Sequence, residues 1–272
     1  MKSFAHQFVL ISGGSSGIGL ALAEEFARLG ANLCILARRE EVLEQAAARI
    51  QEQFVSDQQW VKTISVDIVD RPALQDKLTA CMQTEGVPDL VINSAGVAHP
   101  GQFENLGDDI FDWMMNVNYM GTVNVCKAVI PAMIQRKSGK IVNISSVAGF
   151  IGVYGYTAYS GSKFAVRGFS DALRSEMKLH NIEVHTVYPP DTQTPQLEYE
   201  NQYKPKITKA LSSGAGIMSA EKVAKIIVRG IQKHKPLIIP GFESQLMFFL
   251  SNLLGTWMYP VMDWMVKNAS KK

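Results

Sequence analysis

The amino-acid sequence predicts an α/β fold: a doubly wound, seven-stranded parallel sheet in a single domain, with an apolar helical extension at the C-terminal end. Three observations predict it. From Phe8 onwards, short apolar runs rich in β-branched residues alternate with longer stretches of helical spacing, the pattern of βαβ units. A glycine-rich turn, Ser12-Gly-Gly-Ser-Ser-Gly-Ile-Gly19, follows the first apolar run and opens a helical stretch, the context of a Rossmann-like dinucleotide turn. Right-handed crossovers then carry the strand ends to one edge, where ligands are expected.

Strands are expected at Phe8 to Ser12, Asn32 to Leu36, Trp60 to Val66, Asp89 to Asn93, Lys140 to Ser145, Glu183 to Tyr188 and Leu237 to Ile239. Helices are expected at Gly17 to Leu29, Glu40 to Phe54, Pro72 to Glu85, Asp108 to Arg136, Thr157 to His180 and Ala220 to Lys233. The chain has 272 residues, 47% of them hydrophobic and 19% charged, which is ample for one large core. Lys and Arg number 27 against 25 Asp and Glu, so there is no electrostatic footprint for nucleic acid, and function is sought in a pocket. Cys34, Cys81 and Cys126 are widely spaced, and the histidines lack metal-ligand spacing, so reduced thiols and no metal are expected. The first apolar run is short and leads straight into glycines, so no signal peptide is expected. The expected location is the cytoplasm or the cytoplasmic face of a membrane.

In the first turn, Gly13, Gly17 and Gly19 permit a tight bend and close backbone approach. With Ser15, Ser16 and Ile18 they offer a pyrophosphate the free N–H groups of a helix start. The second strand ends in Arg38 and Arg39, where an NAD site carries an acid for the ribose. Two guanidinium groups there favour a 2′-phosphate, hence NADPH, unless Glu40 and Glu41 neutralise them. Asp67 and Ile68 close the third strand and Asn93, Ala95 and Gly96 the fourth, all on the ligand edge. Asn118 lies inside a long helical stretch, as a site residue or a plain helix polar group.

The chemistry is expected between Ser145 and Lys163. Tyr159 and Lys163 are four apart on a helix, so phenol and ammonium lie one turn apart on one face. A free phenol, with a pKa of about 10, is a poor proton donor or acceptor near neutrality unless a positive charge stabilises its phenolate. A serine on the preceding strand end holds a carbonyl oxygen against that hydroxyl, where an alkoxide develops.

Taken together, the SGGSSGIG turn, Asp67, Asn93-Ser-Ala-Gly96, the Asn118 segment, the Ser-Tyr-Lys set and a proline-rich turn before Thr194-Pro195 resemble the short-chain dehydrogenase/reductase family over roughly residues 6 to 240. The resemblance implies Tyr159 as general acid, Lys163 as the residue that lowers its pKa and holds the nicotinamide ribose, and Asn118 as anchor of a water relay. It implies Ser146, thirteen residues before Tyr159, as the carbonyl-orienting hydroxyl, with Ser145 as the alternative. It also brings Pro189, Thr192 and Thr194 to the cofactor, and it implies a homo-oligomer, dimer or tetramer. Tyr188-Pro-Pro-Asp-Thr-Gln-Thr-Pro195, Glu200-Asn201 and Lys204-Pro205 are similar to the subgroup that reduces 3-ketodihydrosphingosine. That implies NADPH-dependent reduction of its 3-keto group to dihydrosphingosine, in sphingolipid synthesis. The rivals are another lipid-like ketone, such as a steroid, retinoid or fatty ketone, and a non-catalytic NADPH-binding protein.

Residues 1–240 are expected to form the reductase domain, with a mobile lid over the substrate at 193–216. The remainder, 241–272, is expected to be an apolar segment. Leu246 to Met262 contains no charge but falls short of a spanning helix and holds Asn252, Gly255 and Pro260. Trp257, Tyr259 and Trp264, with Lys267, Lys271 and Lys272, suit an interfacial helix that rests on a membrane through 242–266. A dimer interface or a core helix is the alternative.

Overall fold

The first apolar run folds as β1 (Phe8–Ser12), with every residue buried. Its side chains alternate between two cores: Val9 and Ile11 face one layer of helices, Phe8 and Leu10 the other. That is why the run is apolar at every position. The computed structural model describes residues 4–212 and 216–271.

The chain continues through α1 (Gly17–Arg28), β2 (Asn32–Ala37), α2 (Glu40–Gln51), β3 (Val61–Ser65), α3 (Arg71–Glu85) and β4 (Leu90–Asn93). After β4 come α4 (Asp108–Met114), α5 (Gly121–Arg136), β5 (Gly139–Ile144), α6 (Thr157–Met177) and β6 (Ile182–Val187). Next are β7 (Thr192–Gln193), α7 (Pro195–Tyr203), α8 (Lys206–Ser212), β8 (Met218–Ser219), α9 (Ala220–Gln232) and β9 (Leu237–Ile238). The C-terminal pair is α10 (Phe242–Leu254) and α11 (Met258–Ala269).

The expected seven-stranded parallel sheet is present, in the order β3-β2-β1-β4-β5-β6-β9. The order reverses between β1 and β4, and that switch point is where a doubly wound sheet opens a crevice. Helices α1, α2 and α9 cover one face through Phe26, Leu43, Ile227 and Ile231. Helices α3, α5 and α6 cover the other through Leu74, Leu78, Val129 and Leu173. Each fully buried Leu, Ile or Phe contributes about 1.5–3 kcal/mol, so the two layers hold the strand ends rigidly.

The structure differs from the expectations in three places. The helix expected from Asp108 to Arg136 is interrupted by a π-helical turn, Met115–Met120, between α4 and α5. The turn brings the Asn118 side chain inward, where it exchanges two hydrogen bonds with the main chain of Val97. The stretch 193–216, expected as a lid, contains two helices, α7 and α8, and is bounded by the parallel pairing of β7 with β8. Residues 213–215 of the expected lid lie outside the described residues, as does Lys272. The C-terminal segment forms two helices, because Gly255 takes φ +52° and turns the chain. Among the described residues no helix is long and apolar enough to cross a membrane. Cys34 and Cys81, distant in sequence, place their sulfurs 3.9 Å apart as free thiols.

Candidate active site

Gly13 follows β1 with φ +72°, and a Cβ there would come within 2.6 Å of the Ala95 backbone. Only glycine lets this turn press against the end of β4. At the start of α1 the Ser16 hydroxyl makes no capping bond, and no acidic side chain occupies the first turn. The N–H groups there face the cavity lined by Ser15, Ser16, Gly17, Ile18 and Gly19. Uncapped amides at the positive end of a twelve-residue helix are a donor set that fits a pyrophosphate.

Arg38 and Arg39, at the end of β2, are exposed and line the same cavity. Neither forms an ion pair among the described residues, so Glu40 and Glu41 do not neutralise them. Asp67, Ile68, Ala95 and Gly96 also face the cavity, with Pro189, Thr192 and Thr194 on its opposite side. The Asp67 carboxylate accepts the Val69 N–H at 2.9 Å. Asn93 departs from expectation. Its side chain points into the core and donates to Asn143 Oδ1 at 2.8 Å, tying β4 to β5 away from the cavity wall.

Asn118 stands behind the wall. Its Oδ1 accepts the Val97 N–H at 2.7 Å, and its Nδ2 donates to the Val97 carbonyl at 2.9 Å and to Ser162 Oγ at 2.8 Å. Ser162 donates in turn to the Tyr159 carbonyl at 2.8 Å. One amide therefore fixes the loop after β4 and the first turn of α6. Lys163 is buried, and its Nζ donates to the Ile144 carbonyl at 3.0 Å.

The two serines have different partners. Ser145 Oγ donates to the Lys163 carbonyl at 2.9 Å, which clamps the end of β5 to α6. Ser146 Oγ accepts the Ala148 N–H at 3.2 Å and, like the Gln196 side chain, lies close to the Tyr159 hydroxyl on the cavity wall. Burial raises the Tyr159 phenol well above its ordinary pKa, with a further rise from Glu200 that the nearby Ser146 hydroxyl partly offsets. Burial pulls the Lys163 amine down to about 8. The net shift of Tyr159 is upward, with loss of water as its largest cause. Tyr159 stands here as a proton donor.

The cavity holds about 610 Å³. Its wall includes Met247, Met258, Met262 and Met265 from α10 and α11, which thus line the same cavity as Tyr159. Near Tyr159 it carries Tyr156, Gln196 and Glu200. Tyr156 Oη donates to Glu200 Oε2 at 2.6 Å and Gln196 Nε2 donates to Glu200 Oε1 at 2.9 Å. Both the methionine wall and these polar partners were missed as site residues. A methionine stripe at 258, 262 and 265 has helical spacing, and that signal marks one face of a helix without saying what it meets.

The short chain dehydrogenase family model matches residues 7–205. A 3-dehydrosphinganine reductase from Danio rerio is 44% identical over 222 residues, covering 81% of this chain and 67% of the relative. A 3-ketodihydrosphingosine reductase from Bos taurus is 41% identical over the same length and shares. Among solved structures, a short chain dehydrogenase/reductase from Burkholderia phymatum in complex with NAD superposes with a TM-score of 0.82 at 21% identity, covering 93% of this chain and 95% of its own. The family model covers more than half of the chain, and the chain belongs to the short-chain dehydrogenase family.

Proposed function

We propose that this chain reduces the 3-keto group of 3-ketodihydrosphingosine to dihydrosphingosine with NADPH, as a step of sphingolipid synthesis. The chain binds a nicotinamide cofactor, as its family does. The observation that carries the reading is the Tyr159 hydroxyl, close to Ser146, on a cavity that is also lined by the methionines of α10 and α11. A polar reacting end and an apolar channel suit a ketone on a long acyl chain. The activities for which the vertebrate relatives are named agree with this reading.

The N-terminal amides of α1 would hold the cofactor's pyrophosphate and the Arg38 and Arg39 guanidinium groups its 2′-phosphate. When bound, the nicotinamide supplies a hydride. Ser146 donates a hydrogen bond to the carbonyl oxygen and fixes its direction. Tyr159 gives that oxygen a proton as it becomes an alkoxide. Lys163, whose amine at about 8 is still mostly an ammonium near neutrality, sets its charge near the tyrosinate as it forms and so lowers the cost of losing the phenol proton. Asn118 holds α6 in register through Ser162.

The exposed apolar faces of α10 and α11 support a bilayer surface as the place of work, on the cytoplasmic side. We extend the proposal to a dimer or tetramer, to be read from light scattering after gel filtration. The activity is tested by steady-state oxidation of NADPH, and separately NADH, with 3-ketodihydrosphingosine in mixed micelles. Turnover faster with NADPH supports both parts. Tight NADPH binding with turnover only on steroid, retinoid or fatty ketones would overturn the substrate assignment.

A further inference from the structure

Glu200 is a buried carboxylate that the reduction of a ketone does not by itself require. It is 7% exposed, yet it lines the cavity that holds Tyr159. Tyr156 and Gln196 each give it one hydrogen bond, one to each oxygen. A carboxylate accepts about four, so each oxygen retains acceptor capacity. Among the described residues no cation forms an ion pair with it, since the nearby Lys204 ammonium is bonded to Asp191 at 3.3 Å. Burial raises its pKa above the usual carboxylate range, and its two hydrogen bonds and the charge of Lys204, which is not in direct contact with it, offset only part of that cost.

The position matters as much as the charge. Gln196 and Glu200 both lie close to the Tyr159 hydroxyl on the same cavity wall, and Gln196 Nε2 donates to Glu200 Oε1 at 2.9 Å, so the carboxylate stands near the proton donor. A positive group on the carbon next to the reacting carbonyl stays within reach of both. We propose that Glu200 is a specificity-determining residue that receives the ammonium of an α-amino ketone, whose carbonyl oxygen Ser146 and Tyr159 hold. This rests on the reductase reading above and narrows it: 3-ketodihydrosphingosine carries its amine on the carbon beside the ketone. The methionine wall takes the acyl chain, and the single carboxylate at the reacting end selects the charged head. A merely structural Glu200 would tie α7 to α6 through Tyr156 and select nothing.

The test compares wild type with Glu200→Gln on 3-ketodihydrosphingosine and on 1-hydroxyoctadecan-3-one, which lacks the amine. The variant is expected to lose about 100-fold in kcat/KM on the amino ketone and to change little on the uncharged one, erasing the preference between them. Equal losses on both would overturn the proposal. Tyr156→Phe removes a hydrogen bond and keeps the carboxylate, so it should retain the amine preference; its loss there would mark the Glu200 contact as structural. Binding of dihydrosphingosine to the NADP⁺ complex, against 1,3-octadecanediol as the uncharged analogue, needs no turnover. An amine preference in wild type that disappears in Glu200→Gln supports the site even if the reductase reading fails, and equal binding of the two ligands by wild type overturns it.

Discussion

Lys163 holds its ammonium 5.7 Å from the centre of the Tyr159 ring, tied to the end of β5 by its bond to the Ile144 carbonyl. The charge lies over the ring, and the hydroxyl has Ser146 and Gln196 close by. Phenol and amine are therefore both buried in their less charged direction, the one raised and the other lowered. A step that turns the phenol into an anion beside the amine reverses both shifts together, which is the use such a pair has in proton transfer.

The amine sets a stability signature. Burial holds it down to about 8, whereas an unfolded lysine titrates near ~10.4. Between those values the unfolded chain binds more protons than the folded one, so stability rises with pH through the window. Tyr159 acts in the opposite sense above ~10, because its folded phenol keeps the proton longer. Lys163→Met should abolish a gain of roughly 2 kcal/mol that wild type shows between about pH 7.5 and about pH 10 in urea unfolding. Parallel pH curves for the two proteins would contradict a buried, depressed amine.

Tyr159→Phe keeps the ring, which packs 5.7 Å from that of Tyr156, and removes only the proton donor. Turnover should fall by about 10³-fold with NADPH affinity unchanged. Ser146→Ala should cost about 10²-fold in kcat, whereas Ser145→Ala should cost about 1 kcal/mol of stability through its lost bond to Lys163 and leave turnover largely intact. If the two serine variants behaved the other way round, the carbonyl-orienting role would pass to Ser145.

Arg38 and Arg39 stand exposed and unpaired at the edge of the cavity. Replacing both with alanine should lower kcat/KM for NADPH by about 100-fold relative to NADH, because charge-assisted bonds to a phosphate have no counterpart on the unphosphorylated ribose. The preference should also weaken as salt rises, since exposed charges are screened. An unaltered ratio of the two cofactors in the double variant would refute the 2′-phosphate assignment.

The sheet was legible because its inner strands are buried on one or both faces and write that burial into a β-branched run; β1 and β2 match their expected spans to within a residue. The cofactor turn was legible for the same local reason, since Gly13 must adopt a positive φ against Ala95. What stayed hidden depends on contacts between distant segments. The π-helical break exists because Asn118 bonds to Val97, twenty-one residues away, and no local propensity records that. Asn93 has the right place at a strand end, but its amide finds Asn143 on the neighbouring strand, a partner fifty residues on. Glu200 was visible as part of a pattern with Lys204-Pro205, while its function follows only from meeting Tyr156 and Gln196 in the folded cavity.

The last prediction concerns α10 and α11. One side of the pair lines the cavity through Met247, Met258 and Met262, while Phe249, Leu253, Trp257 and Trp264 remain 60–78% exposed. Four large apolar side chains facing water on adjoining helices mark an interaction face, and indole rings beside Lys267 and Lys271 fit the headgroup level of an anionic bilayer. Truncating the pair would also open the cavity, so point changes are the cleaner probe. Trp257→Ser with Trp264→Ser should reduce flotation with liposomes of mixed zwitterionic and anionic lipid by about tenfold or more, given the apolar area each indole buries. Turnover in detergent micelles should persist, because neither indole lines the cavity. Unchanged flotation, together with a wild-type dimer that the double variant dissociates in gel filtration, would assign the face to a second copy of the chain.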